Sequence, residues 1–234
     1  MKRVYTGPES SGKSLMLSKI SEDIFQRNVK WFKIVGIPRT MYYNMPMSEN
    51  FIKRCFDNGI IYKEYRQLEE ILFESECDIF IDELLKFFPA SGSSSLTTEQ
   101  LHFLTQGEKS GISIYATSQD FSQVHKQFRR LKPEVYTITK IIGSRRPMKT
   151  APPVRGIWGI CAMRKVDPSS FSGDDSTMKP EGLPEFFTIR KEDTERYDTS
   201  FKVPQAELPV KYVRKQREVG LENGVVVHQK ERWI

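Results

Sequence analysis

Residues Gly7-Pro8-Glu9-Ser10-Ser11-Gly12-Lys13-Ser14 read G-x-x-x-x-G-K-S, a spacing suited to holding phosphate. Gly7 and Gly12 carry no Cβ, so the backbone can turn tightly and approach an anion closely. The loop N–H groups then face inward as a nest for phosphate oxygens, with Pro8, Glu9, Ser10 and Ser11 forming the rest of the cradle. Lys13 brings a full positive charge to the β- and γ-phosphates, and the Ser14 hydroxyl is a ligand for Mg²⁺. The chemistry expected here is binding of Mg²⁺ and ATP.

A P-loop needs a second carboxylate element, and Ile79-Phe80-Ile81-Asp82-Glu83 supplies it. Asp82, at the tip of an apolar strand, is placed to join Ser14 in the Mg²⁺ shell, and Glu83 to polarise an attacking water. Glu83 also separates reaction classes. A kinase that passes phosphate to a small molecule must exclude water, whereas a hydrolytic motor needs a group that activates it. The acid pair therefore favours hydrolysis, with a small-molecule kinase or a nucleotide-gated scaffold as alternatives. Ala116-Thr117-Ser118-Gln119-Asp120 ends the next apolar run. Gln119 is placed to hydrogen-bond the γ-phosphate or the attacking water; the alternative is a helix cap at Ser118 or Asp120 with Gln119 simply exposed. The expected catalytic set is Lys13, Glu83 and Gln119.

The elements that must carry these groups alternate in type. Lys2 to Thr6 reads as a strand and Ser14 to Arg27 as a helix, which sets a helix N-terminus under the phosphates. Trp31 to Ile37 reads as a second strand stopped by Pro38, Thr40 to Ser48 as irregular, and Glu49 to Asp57 as a helix stopped by Asn58-Gly59. Strands are expected at Ile60 to Tyr65, Asp78 to Asp82, Ile112 to Thr117 and Val135 to Ile142. Helices are expected at Gln67 to Glu76, Thr98 to Lys109 and Phe121 to Leu131, and a flexible loop at 91–95. The alternation predicts a three-layer α/β P-loop NTPase core over residues 1–142 with a mostly parallel sheet. Gly156 to Val166 and Phe186 to Arg190 read as strands added antiparallel at the C-terminal side, separated by a loop over Asp167 to Pro184. This extension, 143–200, completes an ATPase domain of residues 1–200. Residues 201–234 read as a charged tail, helical around Tyr212 to Val219 with a turn at Asn223-Gly224, ordered against a neighbouring subunit.

The 234 residues carry a formal net charge of +6, unevenly spread. Between Phe121 and Thr150 lie Lys126, Arg129, Arg130, Lys132, Lys140, Arg145, Arg146 and Lys149, with Glu134 the sole acid. Such a run fits contact with the phosphates of DNA of any sequence, arginines acting on a neighbouring subunit's ATP, or a solvated face. Cys55, Cys77 and Cys161 have no zinc-type spacing and read as reduced structural thiols of a cytosolic protein. His102, His125 and His228 show no metal-ligand spacing. No apolar run approaches the ~18 residues of a membrane helix, and the chain enters a strand at once, which is read as the absence of a signal peptide.

Together, Gly7 to Ser14, Ile81-Asp82-Glu83 followed by Phe87-Phe88-Pro89, and Ala116 to Gln119 resemble the N-terminal ATPase domain of Zot-like proteins, within the HerA/FtsK superfamily. Glu195-Arg196-Tyr197-Asp198-Thr199-Ser200 resembles the segment that closes that domain. The resemblance implies an assembly or genome-packaging ATPase acting on DNA as a ring, in the host cytoplasm or with the virion, beside capsid or membrane-associated viral proteins. Zot proteins of filamentous phages carry a membrane-spanning helix after this domain; its lack here points to packaging over membrane-anchored extrusion. The family's basic helix end before the sensor strand reads Gly107-Glu108-Lys109-Ser110-Gly111 here, so a catalytic arginine is expected elsewhere: at Arg129, Arg130, Arg145 or Arg146.

Overall fold

The structure, a computed structural model, describes residues 1–90, 96–143, 157–173, 175–196, 221–222 and 225–226. In chain order these form β1 (Lys2–Thr6), α1 (Lys13–Val35), β2 (Thr40–Tyr43), α2 (Glu49–Asp57), β3 (Ile61–Glu64), β4 (Cys77–Ile81), α3 (Thr98–Gln106), β5 (Ser113–Ser118), α4 (Lys126–Arg130), β6 (Glu134–Gly143), β7 (Ile157–Asp167), β8 (Lys179–Arg190), α5 (Lys191–Glu195), β9 (Leu221–Glu222) and β10 (Val225–Val226). The chain divides into two compact units, Met1–Phe201 and Lys202–Ile234; the second contains the antiparallel pair β9 and β10.

The first unit is built on an eight-stranded sheet in the order β3-β2-β4-β5-β1-β6-β7-β8. From β3 to β6 every pairing is parallel, and β6-β7-β8 are antiparallel, as expected for strands added after the core. Parallel strands share one carboxyl edge, where ligands bind in open α/β sheets. That edge brings the ends of β4, β5 and β1 side by side, so the residues after Ile81, Ser118 and Thr6 form one row.

The two sheet faces are divided by the period of two along each strand. Val4, Ile79, Ile81, Ile114 and Ala116 face a core with Phe103 and Leu104 of α3 and Phe128 of α4. Tyr5, Tyr43, Phe80 and Tyr115 face the other core, with Leu17, Ile20, Ile24 and Phe25 of α1 and Phe51 of α2. On that face an aromatic ladder crosses four strands: Tyr62 stacks on Tyr43 at 5.1 Å, Tyr43 on Phe80 at 4.6 Å and Phe80 on Tyr115 at 5.2 Å. Each such pair contributes about 0.5–1.5 kcal/mol beyond its burial.

Several elements differ from the sequence reading. Trp31 to Ile37 is not a strand: α1 runs on to Val35 and stops where Gly36, at φ 76°, donates its N–H to Phe32 O. The second strand is instead Thr40–Tyr43, within the segment read as irregular; its β-branched and aromatic residues outweigh the turn residues Asn44 and Pro46 that follow. The helix expected at Gln67 to Glu76 reduces to one 3₁₀ turn, Leu68–Glu70, which buries Leu68 and Ile71. The helix expected at Phe121 to Leu131 is a 3₁₀ turn, Phe121–Gln123, and the short α4. It breaks at Val124, which is extended and bridges Pro89, while His125 N–H donates to Phe88 O. The loop assigned to Asp167–Pro184 ends early, because β8 starts at Lys179. The expected 91–95 loop, the helix around 212–219 and the turn at 223–224 lie outside the described residues.

Candidate active site

Helix α1 starts directly from the loop after β1. Gly12 is its N-cap at φ 98°, and no acid occupies its first turn, so nothing competes for the N–H groups that face an incoming anion. Gly7 is required by space: a Cβ there would lie 2.5 Å from Ile138 O on β6. Gly12 packs against β7, where an added Cβ would meet Cys161 Sγ at 3.2 Å, and the Cys161 thiol donates to Ser11 O at 3.6 Å. The antiparallel extension therefore forms the floor of the loop. Pro8, Glu9 and Ser10 are exposed, with Ser10 at φ 61°, whereas Ser11 is buried and its Oγ lacks a hydrogen-bond partner.

Lys13 Nζ donates to Gly7 O at 2.7 Å and Pro8 O at 2.9 Å, curling over the loop. Burial pulls its ammonium below the ordinary lysine range, and the carboxylates of Glu83, Asp82 and Glu9 act against that. Ser14 Oγ donates to both oxygens of Asp82, at 3.0 and 3.2 Å. Hydroxyl and carboxylate oxygens thus converge as hard donors of the kind Mg²⁺ takes, and the residues fit that ion.

Glu83 follows Asp82 with φ 68° and ψ 79°, a left-handed conformation that costs of order 1–3 kcal/mol in a non-glycine residue. Its Oε1 is buried without a hydrogen-bond partner. Burial and then neighbouring Asp82 raise its carboxyl above the ordinary range, opposed by Lys13, Lys86 and a hydrogen bond with Gln119. Gln119 is exposed and follows β5, the strand that pairs with β4, so it lies on the same sheet edge as Glu83. Asp120 caps the next turn, accepting Ser122 N–H at 2.7 Å.

The strand β5, which leads into Gln119, thus lies between β4, which leads into Asp82-Glu83, and β1, which leads into Gly7 to Ser14. The fold is that of a P-loop NTPase.

Comparison with solved structures finds similar chains at low identity. The chain is similar to the N-terminal domain of zonular occludens toxin from Neisseria meningitidis, at 18% identity and a TM-score of 0.48, over 84% of this chain and 98% of that one. It is similar to B204, the DNA-packaging ATPase of Sulfolobus turreted icosahedral virus, at 12% identity and a TM-score of 0.41, over 79% and 95%. It is also similar to the flagellar accessory protein FlaH from Methanocaldococcus jannaschii, at 10% identity and a TM-score of 0.44, over 78% and 89%. No protein-family model and no curated protein sequence matches the chain. No described helix is long and apolar enough to cross a membrane.

The four arginines singled out from the sequence separate. Arg129 is engaged within its own fold: Nε donates to Val124 O at 3.0 Å and the guanidinium lies 5.0 Å from the Phe171 ring centroid. Arg130 is exposed, as are Lys126 and Lys132. Arg145 and Arg146 lie outside the described residues. Sequence reasoning missed two polar residues at the site. Asn44 hydrogen-bonds both backbone groups of Asp82, and Thr117 bridges Asp82 and Glu83. It also missed the role of Arg196. Arg196 pairs with Glu22 and Asp193, donates to Ser18 O on α1, and accepts Ser48 N–H at its own carbonyl.

Proposed function

We propose that this protein is an ATP-hydrolysing motor that translocates or packages viral DNA, working as a head-to-tail ring. The observation that carries hydrolysis is Glu83: a half-buried carboxyl with an orphaned oxygen, beside Asp82, Lys13 and Gln119. In this reading Lys13 holds the β- and γ-phosphates, and Ser14 with Asp82 holds Mg²⁺, which when bound offsets phosphate charge. Water attacks the γ-phosphorus, the bond to the β–γ bridging oxygen breaks, and the water's proton passes to Glu83. Burial and Asp82 raise the Glu83 carboxyl above its ordinary range, so its ionised form is a stronger base than an ordinary carboxylate. Gln119 hydrogen-bonds the γ-phosphate or the attacking water and so connects the site to the basic segment from Lys126 to Lys132. Those cations, with Lys140, Arg145, Arg146 and Lys149, support contact with nucleic-acid phosphates. The test is phosphate release from ATP, measured with and without DNA. Stimulated release supports the motor; transfer to a small acceptor supports a kinase; ATP binding without release supports a scaffold.

A further inference from the structure

Asp82 and Glu83 leave the sheet where both neighbouring strands hold them by side chains in place of backbone. On one side, β2 pairs Tyr43 with Phe80, and Asn44 N–H donates to Phe80 O at 3.3 Å, so Asn44 continues the strand by one residue. Its carboxamide then lies along Asp82: Nδ2 donates to Asp82 O at 2.9 Å, and Asp82 N–H donates to Oδ1 at 2.7 Å. A carboxamide offers a donor and an acceptor side by side, as a peptide group does, and here it completes a ladder the backbone has left. Asp at this position would set a carboxylate against Asp82 O, and Gln would add a methylene to a spacing already filled.

On the other side, β5 pairs Ala116 with Ile81. The next residue, Thr117, is buried; its Oγ1 accepts Glu83 N–H at 2.9 Å and donates to Asp82 Oδ1 at 2.8 Å. One hydroxyl thus fixes the carboxylate of Asp82 and the backbone of Glu83 together. With Asp82 held on both sides, the left-handed turn at Glu83 is over-determined, which is how a strained conformation persists.

We infer that Asn44 and Thr117 are positioning residues for hydrolysis, locking the Asp82–Glu83 dipeptide so that the Glu83 carboxyl stays beside Lys13 and Gln119. The inference rests on the hydrolytic reading of the site. The two residues act on the reacting groups through Asp82 and Glu83. Their loss is therefore felt in the chemical step while the phosphate cradle of Gly7 to Ser14 stays whole.

The test measures kcat, KM, ATP affinity and melting temperature for the wild type, Asn44→Ala, Asn44→Asp, Thr117→Val and Thr117→Ser. Thr117→Val keeps the side-chain shape and loses only the hydroxyl, so it serves if the Asn44 variants fold poorly. The expected result is a fall in kcat of about 10²-fold for Asn44→Ala, Asn44→Asp and Thr117→Val, the scale of a small misplacement of a reacting group. KM and ATP affinity stay near wild type, and Thr117→Ser, which restores the hydroxyl, recovers most of kcat. Folded variants with wild-type kcat overturn the inference, as does a loss of kcat that only tracks a loss of ATP affinity. A wild type that hydrolyses no ATP overturns the functional reading and the inference together, whereas normal wild-type turnover with unaffected variants overturns the inference alone.

Discussion

Glu83 is the side chain on which the proposed hydrolysis turns, and its environment can be read thermodynamically. Burial and Asp82 raise its folded-state pKa above the unfolded value. The fold therefore favours the neutral acid, and ionisation weakens stability as pH rises from the ordinary carboxylate range through the raised pKa. Glu83→Gln removes that ionisation. Thermal melts should find the variant at least as stable as wild type at neutral pH, with the difference shrinking near about pH 4, where the unfolded wild type is also largely protonated. A variant less stable than wild type at neutral pH contradicts this account of the site. Gly7 to Ser14 and Asp82-Glu83 were legible in the sequence as a candidate site because the pattern is written in residue type and local spacing, and the structure brings Ser14 against Asp82. Asn44 and Thr117 were not: each works through a neighbouring strand, 38 and 35 residues from Asp82, and both look like ordinary loop or strand residues. Asn44 could have been found only after Thr40–Tyr43 was placed beside the acidic strand.

Among the elements, the segment after Gln119 is held by the excursion between β7 and β8. Both Asp175 oxygens accept Phe121 N–H at 3.0 Å, two residues after Gln119. Phe171 packs edge-on to Phe121 at 5.9 Å, and the Arg129 guanidinium lies 5.0 Å from the Phe171 ring centroid. Burial, with the adjacent Asp120 carboxyl, raises Asp175 to about 6. For a carboxyl so raised, the favourable contribution is present at low pH and is lost as pH rises through about 6. Asp175→Asn keeps an acceptor for Phe121 N–H and adds a donor toward Asp120. It should flatten the stability–pH curve between about pH 4 and 7, checked by melts across that range. An unchanged curve would mean that Asp175 titrates normally.

The element errors share a cause. At Trp31 to Ile37 a short apolar run fits strand or helix equally; α1 continues to Val35, with Phe32 against Gly59, and Gly36 ends it. At Val124, a tertiary bridge to Pro89 overrode helical spacing that was locally sound. Strands β1 and β4 and helix α2 were read nearly to the residue, because caps and turn residues bound them locally.

For the whole molecule, the proposed ring predicts sharing of a site between subunits. No arginine lies in Gly7–Ser14, Asp82–Glu83 or Gln119, yet a charge on the γ-phosphate is worth about 10³–10⁵ in rate. Arg129 is occupied by Val124 O and Phe171, which leaves Arg130 as the described residue of the four that stands exposed. In a head-to-tail contact, Arg130→Ala and Lys13→Ala subunits, each inactive alone, should regain partial ATP turnover when mixed, because some junctions pair an intact P-loop with an intact arginine. Arg145→Ala and Arg146→Ala are to be mixed in the same way. Constant turnover per chain on dilution to monomer would end the ring reading.

The central claim, that the tip of β4 activates water beside a P-loop, is tested most directly by comparing wild type with Glu83→Gln in two assays on the same preparation. One assay is equilibrium binding of Mg-ATP; the other is phosphate release in a single turnover. The account predicts binding close to wild type with release slowed by about 10²–10⁴, the contribution of a positioned acid–base group. Phosphate release at the wild-type rate from Glu83→Gln would contradict it.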